Sequence, residues 1–261
     1  MLNSKNNMRM FFIFKTLFLT LILYAVSFCQ NSYKDFCILG DNDFIKMDYE
    51  SAKRNYIKGL ELNPNDYDLN WKLARLLVNF GEIPGNERKD YFEEAKKYAE
   101  KSIAINPNRN EGYTFAAATI GNMAYYGGNK EKLDASKNMI ELLEKAIKID
   151  PQDHIALSIL GSLERLLAGL NWLERSIGKV VYSVEIKKGS YDKSVEYFQQ
   201  AILIDSSLIR HHYELALTYL DMKDKENAKH SFEAVLKCPV QLKADHHRIE
   251  LTKEKLKQID K

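Results

Sequence analysis

The segments Leu62-Asn63-Pro64-Asn65, Ile105-Asn106-Pro107-Asn108 and Ile149-Asp150-Pro151-Gln152 share one pattern, and Ile204-Asp205-Ser206-Ser207 repeats it with Ser in the proline slot. Proline has no N–H and clashes with a preceding helical turn, so each block ends a helix. Its fixed φ suits the first turn of the next helix, and the neighbouring Asn or Asp is of the capping type. Each block therefore reads as a corner between two helices. A chain built from such corners is an array of helix pairs, stable only through stacking of neighbours. The sequence holds 5 prolines and 12 glycines, too few for a loop-dense β-sandwich or a proline-rich linker.

Upstream of each corner, and once more near the carboxyl end, a small or packing residue, an aromatic or small one and another small one recur at spacings of four and three. The sets are Ala52, Tyr56 and Gly59; Ala95, Ala99 and Ser102; Met139, Leu143 and Ala146; Ser194, Phe198 and Ala201; and Ala228, Phe232 and Val235. These spacings put all three side chains on one helix face, where small ones admit a close neighbour. The pattern resembles the second helix of a tetratricopeptide repeat. Phe36, Leu39 and Gly40; Leu73 and Ala74; Tyr113, Ala116 and Ala117; Leu157, Leu160 and Gly161; and Leu215, Ala216 and Tyr219 match the first helix of such repeats. The resemblance implies an all-α tetratricopeptide-repeat α-solenoid of about five helix-turn-helix units over residues 33–242, within a single domain at 30–261.

The corners at 64, 107, 151 and 206 lie 43, 44 and 55 residues apart, against 34 for this repeat. Units two to four therefore have lengthened helices or loops. The extra residues fall between paired helices: GEIPGNERKD around Pro84, YGGNKEKLDA around Gly127 and Gly128, and a stretch from about Leu170 to Gly189. The first two are expected to be solvated turns. Beyond Pro239, apolar Leu242, Ile249, Leu251, Leu256 and Ile259 stand among many charges. This predicts a capping helix at about 241–260 that covers the last repeat and shows water a polar face.

Residues 1–29 read as an address. Lys5 and Arg9 precede the apolar run FFIFKTLFLTLILYAVSF, which resembles a secretory signal peptide with Ser27 and Cys29 at the −3 and −1 positions. Cleavage after Cys29 would make the protein exported, periplasmic or secreted. The alternatives are a retained membrane anchor at 11–28, with Lys15 snorkelling, and acylation at Cys29. The full chain has 38 basic and 36 acidic residues. Loss of Lys5, Arg9 and Lys15 turns the excess of 2 into 35 against 36, so net charge gives no support for nucleic-acid binding. Cys37 and Cys238 remain near opposite ends, each in an apolar context expected to bury it.

No phosphate loop, serine elbow or Cys–His motif is present. The six histidines, His154, His211, His212, His230, His246 and His247, include no i, i+4 pair of the kind that binds metal on one helix face. They are expected to be exposed polar residues. Glu93 and Glu94 sit in a charged helix where pairing with Lys97 or Lys96 is expected. No cofactor, metal or catalytic residue is indicated.

Asn171-Trp172-Leu173-Glu174-Arg175 resembles the Ser-Trp-Leu-Glu-Arg signature of the regulator of microtubule dynamics family. Tyr213-Glu214-Leu215-Ala216, Asp224 to Ala228 and Pro239-Val240 follow in that family's order, so the resemblance covers roughly residues 90–257. It departs from the family at Asn171 for Ser, at Ser206 for Pro and at the export-type amino terminus. The resemblance implies a scaffold, with microtubule association in eukaryotic members. Trp172, Leu173, Glu174 and Arg175 then pack the lengthened fourth unit or wall a partner pocket.

First helices line the concave face of this repeat. Counted from the corners, they offer Trp71, Arg75, Val78 and Asn79 in unit two, Asn122 in unit three, Arg165 in unit four, and Arg210, Tyr213, Leu217 and Leu220 in unit five. The Lys and Asn set that clamps a terminal carboxylate in chaperone-binding relatives of the repeat is missing. The reading is a non-enzymatic scaffold that binds a protein or peptide of unknown identity along the groove. Trp71 and Tyr213 serve as apolar anchors, and Arg75 and Arg165 orient polar or acidic groups. A membrane-anchored regulator of the microtubule type is the alternative.

Overall fold

A computed structural model describes residues 32–83, 88–126, 129–171 and 187–261. The address at residues 1–29 and the signature residues Trp172, Leu173, Glu174 and Arg175 lie outside them. Among the described residues the chain is helical throughout, with no strand. Helices α1 (Tyr33–Ile45) and α2 (Tyr49–Leu62) form the first unit, and α3 (Tyr67–Glu82) and α4 (Arg88–Ile105) the second. Next come α5 (Glu111–Tyr125) with α6 (Asn129–Ile149), and α7 (His154–Gly169) with α8 (Tyr191–Ile204). The fifth unit is α9 (Ile209–Asp221) with α10 (Lys225–Val235), and α11 (Lys243–Ile259) closes the chain. The protein is an all-α tetratricopeptide-repeat solenoid.

The corners work differently from expectation in one respect. Proline does not enter the following helix. Asn63 ends α2, Pro64 and Asn65 turn, and Asp66 is the N-cap, its Oδ1 accepting the Leu69 N–H at 2.9 Å. Asp153 caps α7 in the same way through the Ala156 N–H. The residue before the proline slot makes the turn: Asn106, Asp150 and Asp205 each accept the N–H two residues on, at 3.1, 2.9 and 2.9 Å. This Asx geometry survives the exchange of Pro for Ser206, because it depends on the side-chain oxygen of the preceding Asn or Asp.

Every member of the five small-residue sets is buried. Where glycine occupies the first helix, the partner ring fills its place: a Cβ on Gly40 would lie 2.4 Å from the Tyr56 ring, and one on Gly161 2.9 Å from Phe198. Leu39 departs from its set and is exposed, since no described unit stacks ahead of α1. The inserted stretches are partly helical. Residues 88–90 belong to α4 and 129–135 to α6, because their Lys and Glu residues are good helix formers. Glu94 pairs not with its own helix but with Lys53 on α2 at 2.8 Å, and Glu93 pairs with Lys89 at 3.5 Å.

One continuous apolar core runs through units one to four, and a smaller one joins α9, α10 and α11. Helix α11 covers unit five through Ile249, Leu251, Leu256 and Ile259. It also reaches back across the concave face. Leu242, just ahead of it, packs on the first core, and the Lys243 N–H donates to the Tyr49 hydroxyl at 3.2 Å. The array curls until its end touches its beginning.

Candidate functional site

The curl encloses a cavity of about 420 Å³ on the concave face, with walls from α1, α3, α5, α7 and α9 and from the segment at Gln241 and Leu242. Its apolar side is built by Phe44, Trp71, Val78, Phe115 and Leu208. The Trp71 and Phe115 rings stack at 5.9 Å, nearly parallel, and the Trp71 Nε1–H donates to Asp68 at 3.0 Å. The indole is thereby fixed in orientation, with one face toward the neighbouring unit.

Arg75 lies one helical turn after Trp71. Its guanidinium rests 4.0 Å from the Phe44 ring centroid and 5.1 Å from that of Trp71, a cation held on aromatic faces. Among the described residues the acid paired with it is Asp41, at 3.7 Å. That carboxylate is already engaged, by Lys72 at 2.5 Å and by the Tyr56 hydroxyl at 2.8 Å. Burial raises the Tyr56 pKa, opposed by the Arg75 guanidinium and aided by the Asp41 charge and this bond, so its hydroxyl stays neutral. Two cations share one carboxylate, and the Arg75 Nε is buried without a hydrogen-bond partner among the described residues. This wall therefore carries unspent positive charge.

The acids around the cavity are all engaged. Asp153 accepts from Asn110 at 2.9 Å, from Thr114 at 2.5 Å and from a backbone N–H. Glu111 is held by Arg109 and by the Tyr67 hydroxyl. Asp150 and Asp205 accept at their corner turns.

Glu82 is nearly buried at the end of α3 and carries two guanidiniums, Arg210 at 2.9 Å and Arg248 at 2.5 Å. Burial pushes its pKa up, but the two arginines more than offset this and hold it below the usual range. Arg248 also pairs with fully buried Asp245 at 3.0 Å. This cluster separates the cavity from a second one of about 310 Å³, lined by Phe92, Asn122, Tyr126, Tyr213 and His247 among others.

The structure sorts the groove residues into separate places. Trp71, Arg75 and Asn79 line the first cavity, Asn122 and Tyr213 the second, and Arg210 touches both. Arg165 lines neither, and pairs with Glu214 at 2.9 Å and Asp221 at 3.2 Å. Asn79 and Asn122 donate to the carbonyls of Arg75 and Ala118, one turn back on their own helices. Sequence reading missed Phe44, Phe115 and Glu82. The alternation of Trp71 and Phe115 on successive first helices was a usable signal for the aromatic wall.

The histidines need correction. His230, His246 and His247 are exposed or half-exposed as expected, but His211 is completely buried and its Nε2 lies 2.9 Å from His154 Nδ1. Cys37 and Cys238 are free and half-buried rather than buried. Cys37 accepts from Lys72 at 3.3 Å, and burial raises its pKa against the opposing charge of that lysine. Among the described residues no helix is long and apolar enough to cross a membrane, and no group of three or more His, Cys, Asp or Glu is placed to hold a metal.

A family described as "Regulator of microtubule dynamics protein 1-3" matches residues 40–260. The regulator of microtubule dynamics protein 1 of Bos taurus is 26% identical over 195 residues, covering 73% of this chain and 61% of its own length. The protein of the same name from Caenorhabditis elegans is 24% identical over 204 residues, covering 75% and 90%. The chain thus spans about three fifths of the bovine relative's length. Among solved structures, a thermophilic tetratricopeptide-repeat protein of Thermus thermophilus is similar with a TM-score of 0.63 at 17% identity, over 85% of this chain and 98% of that one.

Proposed function

The chain belongs to the regulator of microtubule dynamics family, and from that premise we propose that it is a non-enzymatic scaffold that seats a segment of a protein partner in the cavity beside Trp71 and Arg75. The observation that carries the reading is the charge balance at Arg75: two cations, one shared carboxylate and a buried Nε without a partner. A partner segment would place an acidic group on this guanidinium and an apolar side chain against Trp71 and Phe115. An aromatic flanked by an orienting arginine is the usual composition of an interface anchor. Because Tyr213 lies in the second cavity and Arg165 is occupied by Glu214, those two residues are not part of this seat. The cavity's 420 Å³ suits one or two side chains rather than a long extended peptide.

The test is a set of short labelled peptides carrying an acidic residue next to an aromatic or aliphatic one, titrated against wild type and Arg75→Ala. Binding weakened at least tenfold in the variant, with the melting temperature little changed, supports the seat. Equal binding to both proteins overturns it.

The apolar run at 11–28 supports an exported or membrane-associated location. Family membership favours a second reading, a membrane-anchored regulator of the microtubule type. Amino-terminal sequencing of the protein from its own cells separates them, because a chain that begins after Cys29 has lost its anchor.

A further inference from the structure

We propose that residues 239–259 form a strap over the concave face that opens as a unit, and that the partner entering in its place presents a basic side chain to Glu82 beside an apolar one for the Leu242 position. The first half stands on the strap's own contacts. The second half rests on the cavity being a partner site.

Helix α11 is joined to units one and two by polar contacts: Arg248 to Glu82, and the Lys243 N–H to the Tyr49 hydroxyl. The residues it buries fully are small or polar, Ala244, Asp245 and Thr252. Its larger apolar residues are only partly covered, by α9 and α10. The repeats, by contrast, bury whole rings at Tyr56, Phe92, Phe198 and Phe232. Segments with little apolar burial open at lower free energy than the core.

The ion pairs are arranged so that opening strands no charge. Breaking a buried pair is costly because it leaves an uncompensated ion. When Arg248 leaves, Glu82 keeps Arg210 at 2.9 Å, and Arg248 carries Asp245 with it at 3.0 Å. Asp245 in turn accepts the N–H groups of Gln241 and Leu242, so the start of the strap holds its own turn once released. The position vacated lies beside a nearly buried carboxylate that keeps one of its two cations, next to the apolar patch that Leu242 covered. A Lys or Arg beside an aliphatic residue is the chemistry that refills it.

The experiment is native-state hydrogen exchange on the full chain at low denaturant. Amides of α11 are expected to exchange at least tenfold faster than those of α3 and α9, and Arg248→Ala should raise the α11 rates about tenfold again without moving the others. Exchange of α11 in step with α3 and α9 in the wild type overturns the strap, whatever the variant does. A labelled peptide of residues 239–261 added in trans then tests the seat. Binding at least tenfold tighter to Arg248→Ala than to wild type supports it. Equal affinity for the two, with α11 opening as described, overturns the partner half and leaves the strap standing.

Discussion

His211 is fully buried with its Nε2 2.9 Å from His154 Nδ1, so two rings from neighbouring repeats share a hydrogen bond, and the far nitrogen of His211 has no partner among the described residues. Burial, followed by the nearby charge of His154 and Arg210, lowers the His211 pKa from 6.5 to about 3. The unfolded chain takes up a proton below pH 6.5 that the folded one refuses until about pH 3. Stability is therefore full above pH 6.5 and declines as the pH falls toward 3, by roughly 2 kcal/mol at pH 5. The expected result is a melting temperature about 4–8 °C lower at pH 5 than at pH 7. The difference should shrink markedly in His211→Asn, and an equal pH dependence in that variant would show that other groups carry it.

Gly161→Ala should destabilise although alanine is the better helix former by about 1 kcal/mol. The new Cβ would sit 2.9 Å from two ring carbons of Phe198, and that ring is fully buried with nowhere to move. Overpacking of this kind costs about 1–3 kcal/mol. The check is thermal or urea melting, with Gly161→Ala/Phe198→Leu as the second arm. The double variant should recover part of the loss, since the shorter side chain vacates the ring position.

The repeat architecture was legible because its signals are local. The Asn or Asp beside each proline slot and the four-and-three spacing of small residues both act within one or two turns of chain. What escaped was everything made by the curl. Glu82 meets Arg210 and Arg248 across 128 and 166 positions, and His154 meets His211 across 57. Neither contact leaves a periodic trace. The groove residues were counted by helix face, which assumes an open groove, and Arg165 lines neither cavity. Here the chain's own end divides it, so that Trp71 and Tyr213 fall into different cavities.

Removing Glu82 should cost more than removing either of its partners. Glu82→Ala leaves Arg210 and Arg248 facing each other in a buried place, a loss of about 3–5 kcal/mol. Arg248→Ala leaves Glu82 paired with Arg210 and Asp245 held by the N–H groups of Gln241 and Leu242, and should cost less, about 1.5–3 kcal/mol, the range of a charge-assisted hydrogen bond. Because Glu82 is held below the usual carboxylate range, its contribution is present above the unfolded value and lost as pH falls through the folded one. Urea melts of both variants at pH 7 decide the order. An Arg248 variant less stable than the Glu82 variant would mean that buried Asp245, left without its guanidinium, costs more than the two unpaired arginines do.

Trp71 offers a direct reading of the cavity, since the sequence holds only 2 tryptophans. In Trp172→Phe the emission comes from Trp71 alone, stacked on Phe115 and beside the Arg75 guanidinium. A peptide with an acidic and an aliphatic residue that enters the cavity should change this emission in a saturable way. Arg75→Lys should weaken that response about tenfold, because an ammonium is a point charge and does not lie flat on the rings of Phe44 and Trp71. Arg165→Lys is the matched control. Its guanidinium is taken up by Glu214 and Asp221 and lines neither cavity, so the same exchange there should leave the titration unchanged. Equal losses at both positions would mean that the peptide reads the general charge of the concave face and not the seat at Arg75.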